Sequence, residues 1–427
     1  MSALAGARQG LAYGALGLPL AFVALPLYVL LPSHYAERLG VPLAALGAVL
    51  LGARLLDALA DPLIGRLVDR LFARSVKQVL ALAAAAAVAL AIGFHALFFP
   101  AVSGTPALLW WCGLGLAITY LGYSAVSVAH QAWGARLGGD ESGRARVVAW
   151  REAAALVGVL VASVLPALAG LPAMSAGFSL LLVLGLLLLA RAPRPTPAID
   201  RDASVVPLLL PLRSPAFRRL LLVFLLNGVA SAVPATLVLF FIRDRLQAAS
   251  WEPLFLAAYF AAAALSMPLW VRLVGRIGLG RSWLAGMLLA IASFAWAFTL
   301  GAGDRGAFLA VCIASGIALG ADLALPGALL AGVIQRNGHA GRAEGAYFGW
   351  WNFATKLNLA LAAGIALPLL AVFGYAPGAR DADALIALSI AYCVLPCVLK
   401  LLAALALWRL GLARAEPRSD QLAFSTS

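Results

Sequence analysis

The sequence predicts an all-α protein that crosses a lipid bilayer twelve times, as two pseudo-symmetric bundles of six helices. Three observations carry that expectation. First, 63% of the 427 residues are hydrophobic and only 11% are charged, with a mean hydropathy of +0.97. Soluble domains average about 45–50% apolar and about 25% charged residues, and a single soluble core stops growing near roughly 250–300 residues. Second, apolar runs of spanning length recur along the whole chain. Third, the basic residues between those runs alternate sides in step with them. A soluble enzyme, a disordered chain and a secreted disulfide scaffold are excluded.

A spanning helix needs about 20 apolar residues. That ruler places spans at 9–31, 42–67, 77–100, 107–135, 146–169, 174–191, 216–242, 253–275, 281–301, 306–334, 343–373 and 384–409. The first runs straight into a second span, so it reads as a retained helix and not a cleaved leader. The longest polar connection, ARAPRPTPAIDRDASVVP (190–207), is rich in proline and charge. It divides the chain into an N-terminal bundle (1–191), a cytoplasmic linker (192–215), a C-terminal bundle (216–411) and a cytoplasmic tail (412–427).

Orientation follows from the basic residues. Of the 31 lysines and arginines, Arg38, Arg243, Arg245, Arg305 and Arg380 fall on one side, and Arg54, Lys356 and Lys400 lie within spans. The remaining 23 fall on the other side. Cytoplasmic loops carry the excess of Lys and Arg, so both termini are expected in the cytoplasm and the protein in the plasma (cytoplasmic) membrane. The net charge of +13 is then a topology signal, and no nucleic-acid partner is expected. The segment RLVDRLFARS (66–75), after the second span, resembles RLVGRIGLGRS (272–282), after the eighth. A shared RLV-R pattern at equivalent places in both halves is the mark of a transporter built from repeats. With both halves in one chain, a monomer is sufficient.

Charges at membrane depth are costly, about 2.5–3.5 kcal/mol each on the insertion scale, so each needs a reason. In the second span, RLLDALADP spaces Arg54, Asp57 and Asp61 by three and four residues, which puts them on one helical face. Two carboxylates a turn apart in low dielectric either share a proton or hold a cation between them. The alternative is a structural network in which Arg54 neutralises Asp57. In the eleventh span, Lys356 stands too far from either end to reach the interface. It calls for an acidic partner, for which the Asp57/Asp61 face is the natural candidate, and Asn352 lies one turn before it. Asp322, in the tenth span, is a further acidic candidate or else a cap for a half-helix ahead of Pro326. The fourth span carries a polar stripe of Tyr120, Tyr123, Ser124, Ser127, His130 and Gln131. His130 there could hydrogen-bond a substrate or take a proton. His95, and His34 and His339 in loops, read as incidental. The four cysteines sit in apolar runs without metal-ligand spacing and read as small fillers. No catalytic signature of the GxSxG, HExxH or Walker kind occurs, so no enzyme and no cofactor are expected.

Three stretches, LGAVLLGARLLDALADPLIGRLVDR (46–70), YSAVSVAHQAWGARLGGDESGRARVVAWREA (123–153) and AYFGWWNFATKLNLALAAG (346–364), resemble the glycoside–pentoside–hexuronide:cation symporters. These are the melibiose-permease-like branch of the major facilitator superfamily. The resemblance runs over almost the whole chain and implies the major facilitator fold. It implies that Asp57 and Asp61 bind the coupling Na⁺, Li⁺ or H⁺, with Ser124 assisting beside Tyr123, Lys356 near the cation and Arg151 opening the fifth span. The chain also departs from that family. Ala60 stands where the Na⁺-using sugar porters have an asparagine oxygen, and Pro19 and Ser127 stand where they grip sugar hydroxyls with carboxylates.

The expectation is a cation-coupled symporter of a small organic solute, working by alternating access. Asp57, Asp61 and Ser124 form the cation site, and Arg54 and Lys356 form its ion-pair partners. The residues expected around the substrate are Tyr120, Tyr123, Ser127, His130, Gln131, Arg151 and Asn352. A transported Ca²⁺ or Mg²⁺ would need more oxygens than this face offers. H⁺ is favoured over Na⁺ because Ala60 removes a neutral oxygen. A proton-antiporting exporter or lysolipid carrier on the same fold is one alternative, and a non-transporting receptor-like or lipid-interacting protein another.

Overall fold

A computed structural model describes residues 6–195, 206–372, 374–375 and 378–413. Residues 196–205 of the expected linker and 414–427 of the expected tail lie outside the described residues. Among the described residues every regular element is a helix. After a short helix, Ala7–Gly14, come α1 (Gly17–Arg38), α2 (Leu43–Arg74), α3 (Val76–Phe98), α4 (Thr105–Arg136), α5 (Glu141–Pro166) and α6 (Leu168–Ala190). The second series is α7 (Pro215–Arg245), α8 (Ala249–Ile277), α9 (Leu279–Phe298), α10 (Arg305–Arg336), α11 (Glu344–Val372) and α12 (Ala382–Arg409).

Among the described residues, 10 of these helices are long and apolar enough to cross a membrane by length and composition. The other two, α2 with 32 residues and α11 with 29, have the length. They are the two that carry Arg54, Asp57, Asp61 and Lys356.

Differences from the expected spans have local causes. The first span is displaced toward Arg38, because the chain turns between Ala7–Gly14 and α1, and Pro26 opens a π-helical stretch at Pro26–Leu30. A proline removes an i→i−4 bond from the ladder, which a wider turn absorbs. His34 is therefore helical, within His34–Arg38, and not a loop residue. Helices α5 and α6 are nearly continuous, with a kink in the first turn of α6 at Gly170, whose φ of 79° only glycine adopts freely. Helices α2, α4 and α10 each run 32 residues, about 48 Å at 1.5 Å per residue. This exceeds the roughly 30 Å hydrocarbon core, so their ends stand beyond the membrane.

The chain forms two compact units, each taking one segment from the other half of the sequence. The first comprises Met1–Gly138, Trp150–Ser214 and Val333–Lys356; the second comprises Gly139–Ala149, Pro215–Gly332 and Leu357–Ser427. Small residues set the helix spacing in the first unit, as expected where lipid offers no hydrophobic drive and backbones must approach closely. Side chains added at Gly10 and Gly14 would run into Trp150, and one at Gly158 into the backbone of Leu18. The N-terminal segment is thereby seated on α5. Helix α2 meets the start of α11 in the same way, at Gly65 against Gly345 and at Gly349 against the backbone of Asp61. Trp133 and Trp350 anchor the flanks of the linker by donating Nε1–H to the carbonyls of Pro193 (3.0 Å) and Leu208 (2.9 Å). The second unit is built round an aromatic core in which Phe241 stacks on Tyr392 at 4.3 Å and Phe255 meets Phe308 edge-on at 4.9 Å.

Candidate functional site

The close approach of α2 and α11 brings one cation to two anions. Lys356 Nζ lies 2.7 Å from Asp57 Oδ1 and 2.7 Å from Asp61 Oδ2. It also donates to Ser124 Oγ at 3.0 Å, with the Asp57 carbonyl at 3.4 Å. Ser124, from α4, donates to Asp57 Oδ1 at 2.8 Å. Asp57 is 5% exposed, and Asp61 and Ser124 are fully buried. Four oxygens thus surround one ammonium, in surroundings where an unpaired charge could not persist.

The two carboxylates are not equivalent. Asp57 accepts the Ser124 hydroxyl. Lys356 meets Asp61 at ion-pair distance but out of line, and neither carboxylate oxygen of Asp61 accepts a well-directed hydrogen bond. A buried carboxylate normally fills its lone pairs. At Asp61 the Lys356 ammonium, 2.7 Å from Oδ2, takes that place.

Arg54 does not take the part of Asp57's neutralising partner. Its guanidinium lies over the ring of Tyr28 at 4.5 Å, and among the described residues the carboxylates pair with Lys356 instead. Lys356, about two turns of α11 beyond the Gly349 contact, has already filled the space between them.

The other residues of the polar stripe on α4 fall into smaller groups. Gln131 donates to Ser127 Oγ at 2.9 Å. His130 is fully buried, with Nε2 2.8 Å from the Tyr13 carbonyl, while the Tyr13 hydroxyl donates back to the His130 carbonyl at 3.2 Å. That reciprocal pair fastens the N-terminal segment to α4 and gives His130 a packing role. Arg151 pairs with Glu152 at 2.6 Å, a carboxylate that sequence reasoning overlooked. Tyr120 is 4% exposed and its hydroxyl has no hydrogen-bond partner. Tyr123 and Asn352 are half-buried.

Two further charge clusters went unrecognised in the sequence. In the first unit, Arg136 at the end of α4 pairs with Glu344 at 2.8 Å and Asp69 at 3.3 Å, with all three side chains almost fully buried. Asp69 also accepts the amides of Gly345 and Ala346 at 2.7 Å each. These are orphan N–H groups of the first turn of α11, a natural seat for a carboxylate. The available signal was the repeat itself, since RLVDR carries Asp69 where RLVGR carries Gly275. In the second unit, Lys400 lies 2.7 Å from Asp322 and donates to Asn227 Oδ1 (2.9 Å) and Ser231 Oγ (3.0 Å). Asp322 also accepts from Asn227, Ser231 and Trp283. It is an interior residue of an unbroken α10 that continues through Pro326. The expectation of a half-helix cap is therefore wrong: Asp322 serves side chains of α7, α9 and α12, not backbone amides.

Among the described residues, no group of three or more His, Cys, Asp or Glu is placed to hold a metal ion. The sequence pattern of the MFS/sugar transport protein family matches residues 10–414, nearly the whole chain. The chain belongs to that family. As an MFS/sugar transport protein it is an integral membrane transporter with the major facilitator fold, in contact with the bilayer and acting on a small molecule. Solved structures agree on the fold. A bacterial homologue of the iron transporter ferroportin, outward-facing, is 17% identical, with 95% of this chain and 99% of that one covered at a TM-score of 0.68. The fucose:proton symporter FucP of E. coli is 14% identical, with 92% and 98% covered at 0.67. No curated protein matches this chain in sequence.

Proposed function

We propose that this transporter is a proton-coupled symporter of the melibiose-permease-like kind, with Asp57, Asp61, Lys356 and Ser124 as the coupling site. The observation that supports this most is the single ammonium shared by two buried carboxylates, 2.7 Å from each. The trio carries one net negative charge, which one bound monovalent cation cancels. Asp57 is engaged by both Ser124 and Lys356. Asp61, with its oxygens free of directed hydrogen bonds, takes the proton.

The same geometry supports H⁺ over Na⁺. A sodium ion would have to expel the ammonium from the oxygens it already occupies, and Ala60 offers no replacement. A proton needs one oxygen of one carboxylate. Protonating Asp61 frees Lys356 to pair with Asp57 alone, releasing one of the two ion pairs through which Lys356 holds α11 to α2. That is the local change through which occupancy can bias alternating access.

The test is uptake by proteoliposomes of a panel of sugars and lysophospholipids under imposed ion gradients. The expected result is accumulation driven by an inward proton gradient with Na⁺ equal on both sides. Accumulation driven by a Na⁺ gradient at fixed pH, with no response to a pH gradient, would overturn the choice of ion.

A further inference from the structure

Arg54 is the charge in this region that the coupling site leaves over. It stands one turn from Asp57 on the same face of α2 as both aspartates, opposite the exposed Leu55, Leu59 and Leu63. It is nevertheless exposed. A guanidinium would be costly among acyl chains, so this face opens on a polar space. The ring of Tyr28, 42% exposed, lies against the guanidinium at 4.5 Å. Tyr120, buried, sets its hydroxyl beside the Arg54 guanidinium and near Tyr28. A planar donor fork that no carboxylate pairs among the described residues, backed by a buried hydroxyl, fits a carboxylate, sulfate or phosphate group.

We infer that Arg54, Tyr28 and Tyr120 form a subsite for an anionic group of the transported substrate, electrostatically linked to the proton site. The inference rests on the proton-coupled reading and deepens it. With Asp61 ionised, the Asp57, Asp61 and Lys356 trio keeps one net negative charge close to Arg54 and opposes an anion there. With Asp61 protonated the trio is neutral, and Arg54 becomes the uncompensated charge. Proton and anion therefore bind cooperatively, each raising affinity for the other by the same factor. The other groups facing Asp61 are Asp57 on its own helix, Lys356 from α11, and Ser124 and Tyr123 from α4. Of these, Asp57 is tied to Ser124 and Lys356.

Sulfate keeps the same charge from about pH 5.5 to about pH 8 and is a suitable probe over that range. Thermal unfolding of the purified full chain in detergent, with sulfate against an equal ionic strength of chloride, reads its binding. The expected result is a stabilisation of about 2–4 °C at the acid end that is lost at the alkaline end and absent in Arg54→Gln. Arg54→Lys keeps part of it. Asp61→Asn, permanently neutral, shows it at both ends. Because sulfate also stabilises proteins non-specifically, only the difference between the parent chain and Arg54→Gln counts. Equal stabilisation of the two overturns the subsite. Stabilisation that depends on Arg54 but is the same at both pH values and in Asp61→Asn keeps the subsite and overturns the proton link instead. Replacing sulfate with gluconate, against glucose, and with lysophosphatidic acid, against monoacylglycerol, tells a soluble anion from a lipid headgroup. Stabilisation by the anion of either pair over its neutral partner supports the subsite, and by neither overturns it for substrates.

Discussion

Replacing Asp61 by asparagine is expected to abolish accumulation driven by a proton gradient while leaving substrate exchange in counterflow. Each pH unit is worth about 1.4 kcal/mol, a factor of ten. With one proton per substrate, a gradient of about two units can therefore sustain about 100-fold accumulation. Asparagine keeps the volume of Asp61 against the backbone contact at Gly349 but cannot titrate. It also leaves Lys356 paired with Asp57 alone, the arrangement assigned to the protonated state. Accumulation should fall to equilibration, near unity, with counterflow retained. Gradient-driven uptake that survives in Asp61→Asn would remove this residue from the coupling role.

The largest effect on stability is expected at Lys400. Its ammonium fills all three donor positions inside the second unit, on Asp322, Asn227 and Ser231, and it is 2% exposed. Lys400→Met removes the positive charge and leaves the Asp322 carboxylate with neutral donors only. Breaking a buried pair from one side costs about 3–5 kcal/mol, whereas removing both partners is often nearly neutral. Thermal unfolding in detergent should show a large loss for Lys400→Met and for Asp322→Asn separately. The double variant should recover most of it. Equal losses in the single and double variants would mean that packing, not charge, is what Lys400 supplies. The contrast with the first unit is one of saturation. The pair in the second unit has every donor and acceptor used, as suits a fixed brace between helices, while Asp61 keeps open positions.

The positions of the helices were legible because one quantity, apolar length, decides where a chain crosses a bilayer. The displaced first span was less so, since hydropathy does not register the proline at Pro26 that reshapes α1. Arg54, Asp57 and Asp61 could be placed on one face from their spacing alone, and Lys356 demanded an acidic partner because a cation in mid-span cannot stand unpaired. The meeting of Lys356 with that face was expected and is found; whether Arg54 would also neutralise Asp57 was not legible. Arg54 is the nearer in sequence, but the glycine contacts between α2 and α11 bring Lys356 to both aspartates, to Asp57 from 299 residues away. The Lys400 cluster joins residues up to 173 positions apart, with no spacing rule to link them. Asp69, Arg136 and Glu344 were hidden for another reason. Arg136 had been absorbed into the count that sets topology, and a charge that serves orientation in the sequence can also be buried in an ion pair.

The most direct test of the central claim is to watch the proton itself. A pH-sensitive dye trapped inside proteoliposomes, with no gradient imposed, reports whether substrate added outside carries H⁺ in with it. Proton symport through Asp61 predicts acidification of the lumen on substrate addition in the parent chain and none in Asp61→Asn. An unchanged lumen pH while radiolabelled Na⁺ enters with the substrate would contradict it.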